Sequence, residues 1–144
     1  MVKLSGAAPY FVALLFAAPA LAASNAWLGT WSLKLSDAGQ KPETLIYSDA
    51  GGGAMRMISV EDRSEIVTHF DGKPALDTGG GATDQHALAV TSTSPSSYTW
   101  TLSKEGKPWV SGRNVLAADR KSFSEVSWLV AKPEQKLTFT YERR

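Results

Sequence analysis

Short runs of alternating apolar and polar residues, separated by turn sequences, dominate the chain from Trp27 to Tyr141. A period of two places successive side chains on opposite faces of a strand, and helical periodicity is almost absent. Tyr98-Thr99-Trp100-Thr101-Leu102 is the clearest case, with large apolar side chains on one face and threonines on the other. Asp49-Ala50-Gly51-Gly52-Gly53 and Lys104-Glu105-Gly106-Lys107 are typical turn sequences. The pattern predicts an all-β, antiparallel protein.

The alternation predicts about eight or nine strands, at the spacing of roughly 8–12 residues found in sandwiches and barrels. We assign them to residues 27–35, 44–48, 54–60, 65–70, 86–93, 98–102, 108–116, 123–130 and 137–141. Asp71-Gly72-Lys73 is predicted to form a tight turn, and Leu76 to Asp84 an irregular or mobile loop. Because short turns join successive strands and closure removes exposed edges, we expect one up-and-down β-barrel rather than a sandwich.

The first 22 residues have the organisation of a secretory signal peptide. Lys3 precedes an apolar stretch from Ala7 to Ala18, and small residues at Ala20 and Ala22 place cleavage before Ala23. The stretch is shorter than the roughly 20 apolar residues of a transmembrane helix, although an uncleaved anchor is the alternative. We expect export to the periplasm or the extracellular medium, with no membrane span after cleavage and residues 23–144 forming one domain.

The composition narrows the classes of partner. The chain has no Cys, which excludes both a disulfide framework and a lipoprotein anchor. Removing 22 of the 144 residues leaves 122, and because only Lys3 is lost, 14 basic side chains remain against 14 acidic ones. This zero net charge and the scattered Lys and Arg argue against nucleic acid as a partner. Five Trp residues must serve the core, a ligand surface or both.

A Gly-x-Trp motif opens the first strand as Gly29-Thr30-Trp31, within Gly-Thr-Trp-Ser-Leu. Further motifs follow in the order Tyr47 to Gly53, Phe70 to Lys73, Lys104 to Lys107, Gly112-Arg113 and Tyr141-Glu142. In this order the chain resembles the lipocalin and fatty-acid-binding-protein superfamily, and especially small exported bacterial lipocalin-like proteins. The resemblance implies a lipocalin-like barrel that binds a small apolar ligand, with no catalytic residue. It also implies an arginine packed across the entry tryptophan, for which Arg113, Arg143 and Arg144 are candidates.

Aromatic and methionine side chains are the candidates for a ligand cavity. Tyr98 and Trp100 share one strand face, Trp128 lies on another, and Met55 and Met57 add adaptable apolar bulk. Tyr47 completes the apolar set. Arg113, if it points inward, would clamp a carboxylate, although a solvated position is favoured over a ligand contact for each polar candidate. For Trp31 we favour a structural role as the plug of the closed barrel end.

No constellation of catalytic or metal-binding residues stands out. His69 and His86 are the only imidazoles, too few without Cys for a zinc site, so we expect neither a metal nor a cofactor. Our interpretation is an exported barrel that binds a small hydrophobic or amphipathic molecule without catalysis. Two alternatives stay open: a protein-interaction module that uses the loops at Leu76 to Asp84 and Thr91 to Ser97, and a barrel enzyme that pairs His69 with Glu125. The sequence does not indicate the oligomeric state.

Overall fold

The computed structural model describes residues 25–81 and 85–144, so the predicted signal peptide and its cleavage site lie outside the described residues. The described chain contains ten strands, which begin and end as follows: β1 Gly29–Leu33, β2 Thr44–Gly51, β3 Ala54–Ser59, β4 Ser64–Thr68, β5 Asp71–Leu76, β6 His86–Ser94, β7 Ser97–Lys104, β8 Lys107–Leu116, β9 Ser122–Leu129 and β10 Lys136–Arg143.

All ten strands form a single antiparallel sheet in the order β4-β3-β2-β1-β10-β9-β8-β7-β6-β5. Every strand pairs with its sequence neighbour except across β4 and β5, and β1 pairs with β10, where Trp31 lies opposite Arg143. The two edge strands of this sheet, β4 and β5, follow each other in the chain. The sheet therefore curls until its edges lie close to each other and forms a nearly closed up-and-down barrel. The expected fold class is therefore confirmed, with ten strands instead of eight or nine.

The additional strand is β5, which the sequence pattern missed. Residues Asp71-Gly72-Lys73, predicted as a tight turn, are the first half of this strand, and the turn lies before them, where Phe70 has a φ of 57°. The pairing of β5 with β6 shifts register between Asp71 and Pro74, as at a β-bulge. A proline and a bulge are features of edge strands. They interrupt the alternation that otherwise identifies a strand.

The segment after β5 crosses the gap between β4 and β5. The amide of Thr78 donates to the carbonyl of Glu65 at 2.9 Å, and the amide of Glu65 donates to Asp77 Oδ1 at 2.9 Å. A Cβ at Gly79 or Gly81 would collide with the backbone before β4 or at its start. Residues 77–81 of the expected loop are thus irregular but bonded to the barrel wall, and their glycines permit this close approach.

Aromatic side chains fill one end of the barrel, which we call the closed end. Trp27, Trp31 and Phe123 are almost fully buried there, and the Trp31 indole donates from Nε1 to the carbonyl of Trp27 at 2.9 Å. Phe123 packs edge-on against both indoles and stacks on Tyr141 with ring centroids 4.7 Å apart. Each such pair is worth about 0.5–1.5 kcal/mol beyond its buried area. The closed end is the rigid base of the barrel.

Arg143 covers this aromatic base. Its guanidinium carbon lies 4.0 Å from the centroid of the Trp31 ring, and its nitrogens donate to the carbonyls of Ala26 at 2.7 Å and Leu28 at 2.6 Å. Gly29 has a φ of 136°, which L side chains rarely adopt, and a Cβ there would lie 2.5 Å from the guanidinium, so glycine is needed there. Of the three arginines considered from the sequence, Arg143 is the one that packs across the entry tryptophan.

Candidate ligand-binding cavity

A cavity of about 190 Å³ lies inside the barrel, beyond the aromatic base. Strands from both halves of the sheet enclose it, and it is lined by both apolar and polar side chains. The lining residues are Glu43, Leu45, Tyr47, Met57, Ile58, Ser59, Ser64, Ile66, Leu88, Tyr98, Trp100, Asn114, Glu125 and Tyr141. This combination of apolar walls and a few polar groups is typical of small-molecule sites.

Two of the other pockets on the described chain are larger in volume. One of about 420 Å³ is formed by the turns at the closed end, with Phe70, Pro95 and Arg120 among its lining residues. The other, of about 340 Å³, lies beside Trp109 and Asp77. The first is lined mainly by turns, and the second lies at the ends of strands and beside residues 77–81. Because inward-facing residues from both halves of the sheet line the 190 Å³ cavity, we take it as the candidate site.

The inner wall on β7 and β8 follows from alternation along the two paired strands. Tyr98, Trp100 and Asn114 point inward, and between the last two lies Gly112, which pairs with Trp100 across the strands. A Cβ at Gly112 would overlap the Trp100 indole ring. The absence of a side chain at Gly112 therefore allows the indole to lie flat against the wall and leaves the cavity open.

A chain of hydrogen bonds fixes the polar groups of this wall. Trp100 Nε1 donates to Asn114 Oδ1 at 2.9 Å, and Asn114 Nδ2 donates to the Tyr98 hydroxyl, also at 2.9 Å. The hydroxyls of Tyr98 and Tyr47 share a further bond of 3.2 Å. Burial raises the pKa of both tyrosines, so both hydroxyls stay neutral. Because buried polar groups are costly when unpaired, this network holds its side chains in one arrangement.

Glu43 and Tyr141 form a second polar group in the cavity. The Tyr141 hydroxyl donates to Glu43 Oε2 at 2.6 Å, the short distance typical of a charge-assisted bond. Burial raises the pKa of Glu43, and the bond from Tyr141 only partly offsets this effect. Burial and the nearby carboxylates raise the pKa of Tyr141 as well. The carboxylate of Glu43 thus lies in a site that disfavours its charge.

Glu125 is the second carboxyl group on the wall. Its neighbour across the strands is Asn114. Burial raises the pKa of Glu125 to about 7, repulsion from Glu43 acts in the same direction, and a hydrogen bond with Asn114 opposes it. The carboxyl therefore changes charge near neutral pH, which is a property of many functional sites.

Four of the seven residues predicted to bind ligand line the cavity: Tyr47, Met57, Tyr98 and Trp100. Met55 is fully buried in the core next to it. The structure does not bring Arg113 and Trp128 to the cavity. Arg113 is exposed, because its neighbours Gly112 and Asn114 point inward. Trp128 lies on the outer face beneath Lys136, whose Nζ is 4.7 Å from the ring centroid.

The histidine–carboxylate pair considered for an enzyme is also not formed. His69 is exposed in the turn between β4 and β5, at the closed end, whereas Glu125 lines the cavity. Within residues 25–81 and 85–144, no three His, Asp or Glu side chains are grouped in a way that could hold a metal ion. In the same part of the chain, no helix is long and apolar enough to cross a membrane.

Sequence reasoning did not single out three polar residues that shape the cavity. Asn114 and Tyr141 lie at inward positions of β8 and β10, so correct assignment of the strand faces would have identified them. Glu43 precedes β2, in the connection from β1, where no alternation applies. Its position at the cavity could be found only from the folded chain.

The single ten-stranded sheet and its interior cavity define a nearly closed, antiparallel up-and-down β-barrel. No protein-family model and no curated protein matches the sequence. Among solved structures, the crystal structure of fatty-acid-binding protein 1 of Echinococcus granulosus is similar, with a TM-score of 0.59 and 18% sequence identity. The match covers 82% of this chain and 97% of that chain. At this identity the likeness establishes the shared fold and no more.

Proposed function

We propose that the protein is an exported barrel that binds a small hydrophobic or amphipathic molecule in its interior cavity, without catalysis. The observation that carries this proposal is the cavity of about 190 Å³ between the two halves of the sheet. Apolar side chains such as Leu45, Ile66 and Leu88 form much of its wall. The similarity to a fatty-acid-binding protein adds support.

The size of the cavity limits what it encloses. An apolar cavity of about 150 Å³ in another protein holds one benzene molecule, so about 190 Å³ encloses one ring or a short alkyl group. Burying an aromatic group removes about 150–250 Å² from water, worth roughly 4–6 kcal/mol at 25 cal/mol per Å². The loss of translational and rotational freedom on association offsets much of this gain. Polar contacts must therefore contribute to any tight binding.

Export is the second element of the proposal. It is supported by Lys3, the apolar stretch from Ala7 to Ala18, and the small residues before Ala23. The absence of Cys and the zero net charge after cleavage are compatible with either the periplasm or the extracellular medium. After cleavage before Ala23, only a few residues would precede β1, which begins at Gly29.

Native mass spectrometry of the protein, purified gently from its source, tests both elements. We expect a chain that begins at Ala23 and carries an adduct of low mass that is lost on denaturation. The adduct should also be lost in Leu88→Trp, which places a larger side chain on the cavity wall. Leu137→Trp is the matched control, because Leu137 is 62% exposed. An intact N-terminus would contradict export with cleavage before Ala23, and an adduct retained in Leu88→Trp would contradict binding in the cavity.

A second candidate function is a protein-interaction module. It is favoured by large apolar side chains that are exposed at the end of the barrel opposite the closed end. They include Leu76, Trp109 and Leu137. Trp109 is 42% exposed, and the ammonium of Lys104 lies 3.6 Å from its ring centroid. A bare mass in the native spectrum, unchanged by Leu88→Trp, would favour this function. Loss of a co-purified partner in Leu137→Trp would support it further.

A further inference from the structure

The charged groups on the cavity wall are all acidic. Glu43 and Glu125 line the cavity, and none of the described residues around it is Lys, Arg or His. The two carboxyl groups are close enough to repel each other. A ligand carboxylate would meet two acidic groups and no cation, whereas a cation would neutralise a charge that is otherwise buried at a cost.

The hydrogen-bond inventory of the wall leads to the same conclusion. Trp100 Nε1 and Asn114 Nδ2 donate to protein acceptors, and Glu43 accepts from the hydroxyls of Tyr141 and Ser59. The acceptor capacity of two carboxylates exceeds these bonds, because each ionised carboxylate has about four acceptor positions. The cavity thus has a surplus of acceptors, and the complementary ligand group is a donor with several N–H bonds.

We propose that the molecule bound in the cavity is an amine, with its ammonium group beside Glu43 and Glu125 and its apolar part against Leu88 and Ile66. This inference rests on the proposed function, since it names the chemical class of the ligand for the same cavity. An ammonium group carries three donors and no acceptor, which matches the surplus on the wall. Trp100 and Tyr141 line the same space, and aromatic rings also attract cations.

The ionisation of Glu125 gives the proposal a dependence on pH. The groups that face it from the neighbouring strands and loop are Asn114, Tyr47, Tyr98, Tyr141 and Glu43. Glu43 is the other carboxyl group among them, and burial raises the pKa of all three tyrosines, so their hydroxyls stay neutral. We therefore expect amine affinity to rise between pH 5 and pH 8, as the carboxyl loses its proton.

Three ligands of similar shape provide the test: benzylamine, benzyl alcohol and benzoate, which differ in the charge of the polar group. Isothermal titration calorimetry at pH 8 should show benzylamine binding at least about tenfold more tightly than benzoate, since charged hydrogen bonds contribute roughly that much. Glu125→Gln should weaken benzylamine by about tenfold or more. It should leave benzyl alcohol within about twofold, because the shape of the cavity is kept.

The control variant is Glu134→Gln, which makes the same change on an exposed loop and should leave all three affinities unchanged. If benzyl alcohol binds and benzylamine binds no more tightly, or Glu125→Gln has no effect, the amine proposal is overturned and the binding function stands. If benzoate binds best, the amine proposal is likewise overturned. If no probe binds and native spectra show no adduct, both the amine proposal and the proposed function are overturned.

Discussion

Replacing Glu125 by Gln is expected to stabilise the free protein near neutral pH. The pKa of this carboxyl rises from its ordinary value of 4.5 to about 7 in the folded chain, mainly because of burial. Between these two values the folded state holds a proton that the unfolded state has lost. Stability therefore falls as the pH rises through this interval, and the loss is complete above the folded pKa. Gln has no proton to lose and avoids this penalty.

The magnitude follows from the size of the shift. Each pKa unit corresponds to about 1.36 kcal/mol, so the shift of Glu125 is worth up to about 3 kcal/mol at pH 8. At pH 5 the pH lies only slightly above the unfolded pKa, so ionisation stabilises the unfolded state only a little. The stability penalty from Glu125 then falls below about 1 kcal/mol. With a urea slope of about 1–3 kcal/mol per M, the unfolding midpoint of Glu125→Gln should rise by about 1–3 M at pH 8.

Urea unfolding followed by tryptophan fluorescence at pH 5 and pH 8 measures this difference. Glu134→Gln, at an exposed position, should change stability by less than about 0.5 kcal/mol at either pH. A gain for Glu125→Gln that is equal at both pH values, or a loss at pH 8, would refute the reasoning. The expected gain also means that lost amine binding in this variant cannot be attributed to unfolding.

Three further substitutions test other parts of the structure. Arg143→Ala should cost about 2–4 kcal/mol in urea unfolding, from charged hydrogen bonds and the cation–π contact, whereas a similar loss for the exposed Arg113→Ala would contradict its outward placement. Gly81→Ala should destabilise by about 1–3 kcal/mol and speed amide exchange in β4, because its Cβ meets backbone. At Gly80 an added Cβ meets no atom within 4 Å, so equal effects of Gly81→Ala and Gly80→Ala would contradict the close packing of residues 77–81 against the backbone beside β4. Gly112→Ala should push an indole into the cavity and weaken benzyl alcohol binding by at least about fivefold, and unchanged affinity would contradict this geometry.

Much of the fold could be predicted because local rules set it. Alternation, which is clearest along β7, and the turn sequences between strands identified nine of the ten strands. The exception, β5, contains Gly72 and Pro74, which break the alternation without preventing an edge strand. The role of Gly79 and Gly81 also depends on a neighbour, since their need for close approach arises only when β4 lies beside them.

The site was predicted less completely. Tyr47, Tyr98 and Trp100 could be proposed because large apolar residues on one strand face point to an interior. Arg113 illustrates the limit: on β8 both faces carry apolar and polar residues, so alternation does not say which one is buried. Its neighbour Asn114 points inward instead and forms hydrogen bonds with Trp100 and Tyr98.

The sequence alone determined that the chain forms an antiparallel barrel of alternating strands without disulfides, because strand period, turn chemistry and composition are local properties. Only the tertiary structure decided that Arg143 covers Trp31, that 77–81 close the gap at β4, and that Glu43 and Glu125 share one cavity. These contacts join residues far apart in the chain. The burial of these residues, and the charges that surround each of them, depend on how the sheet closes. No local sequence pattern predicts that closure.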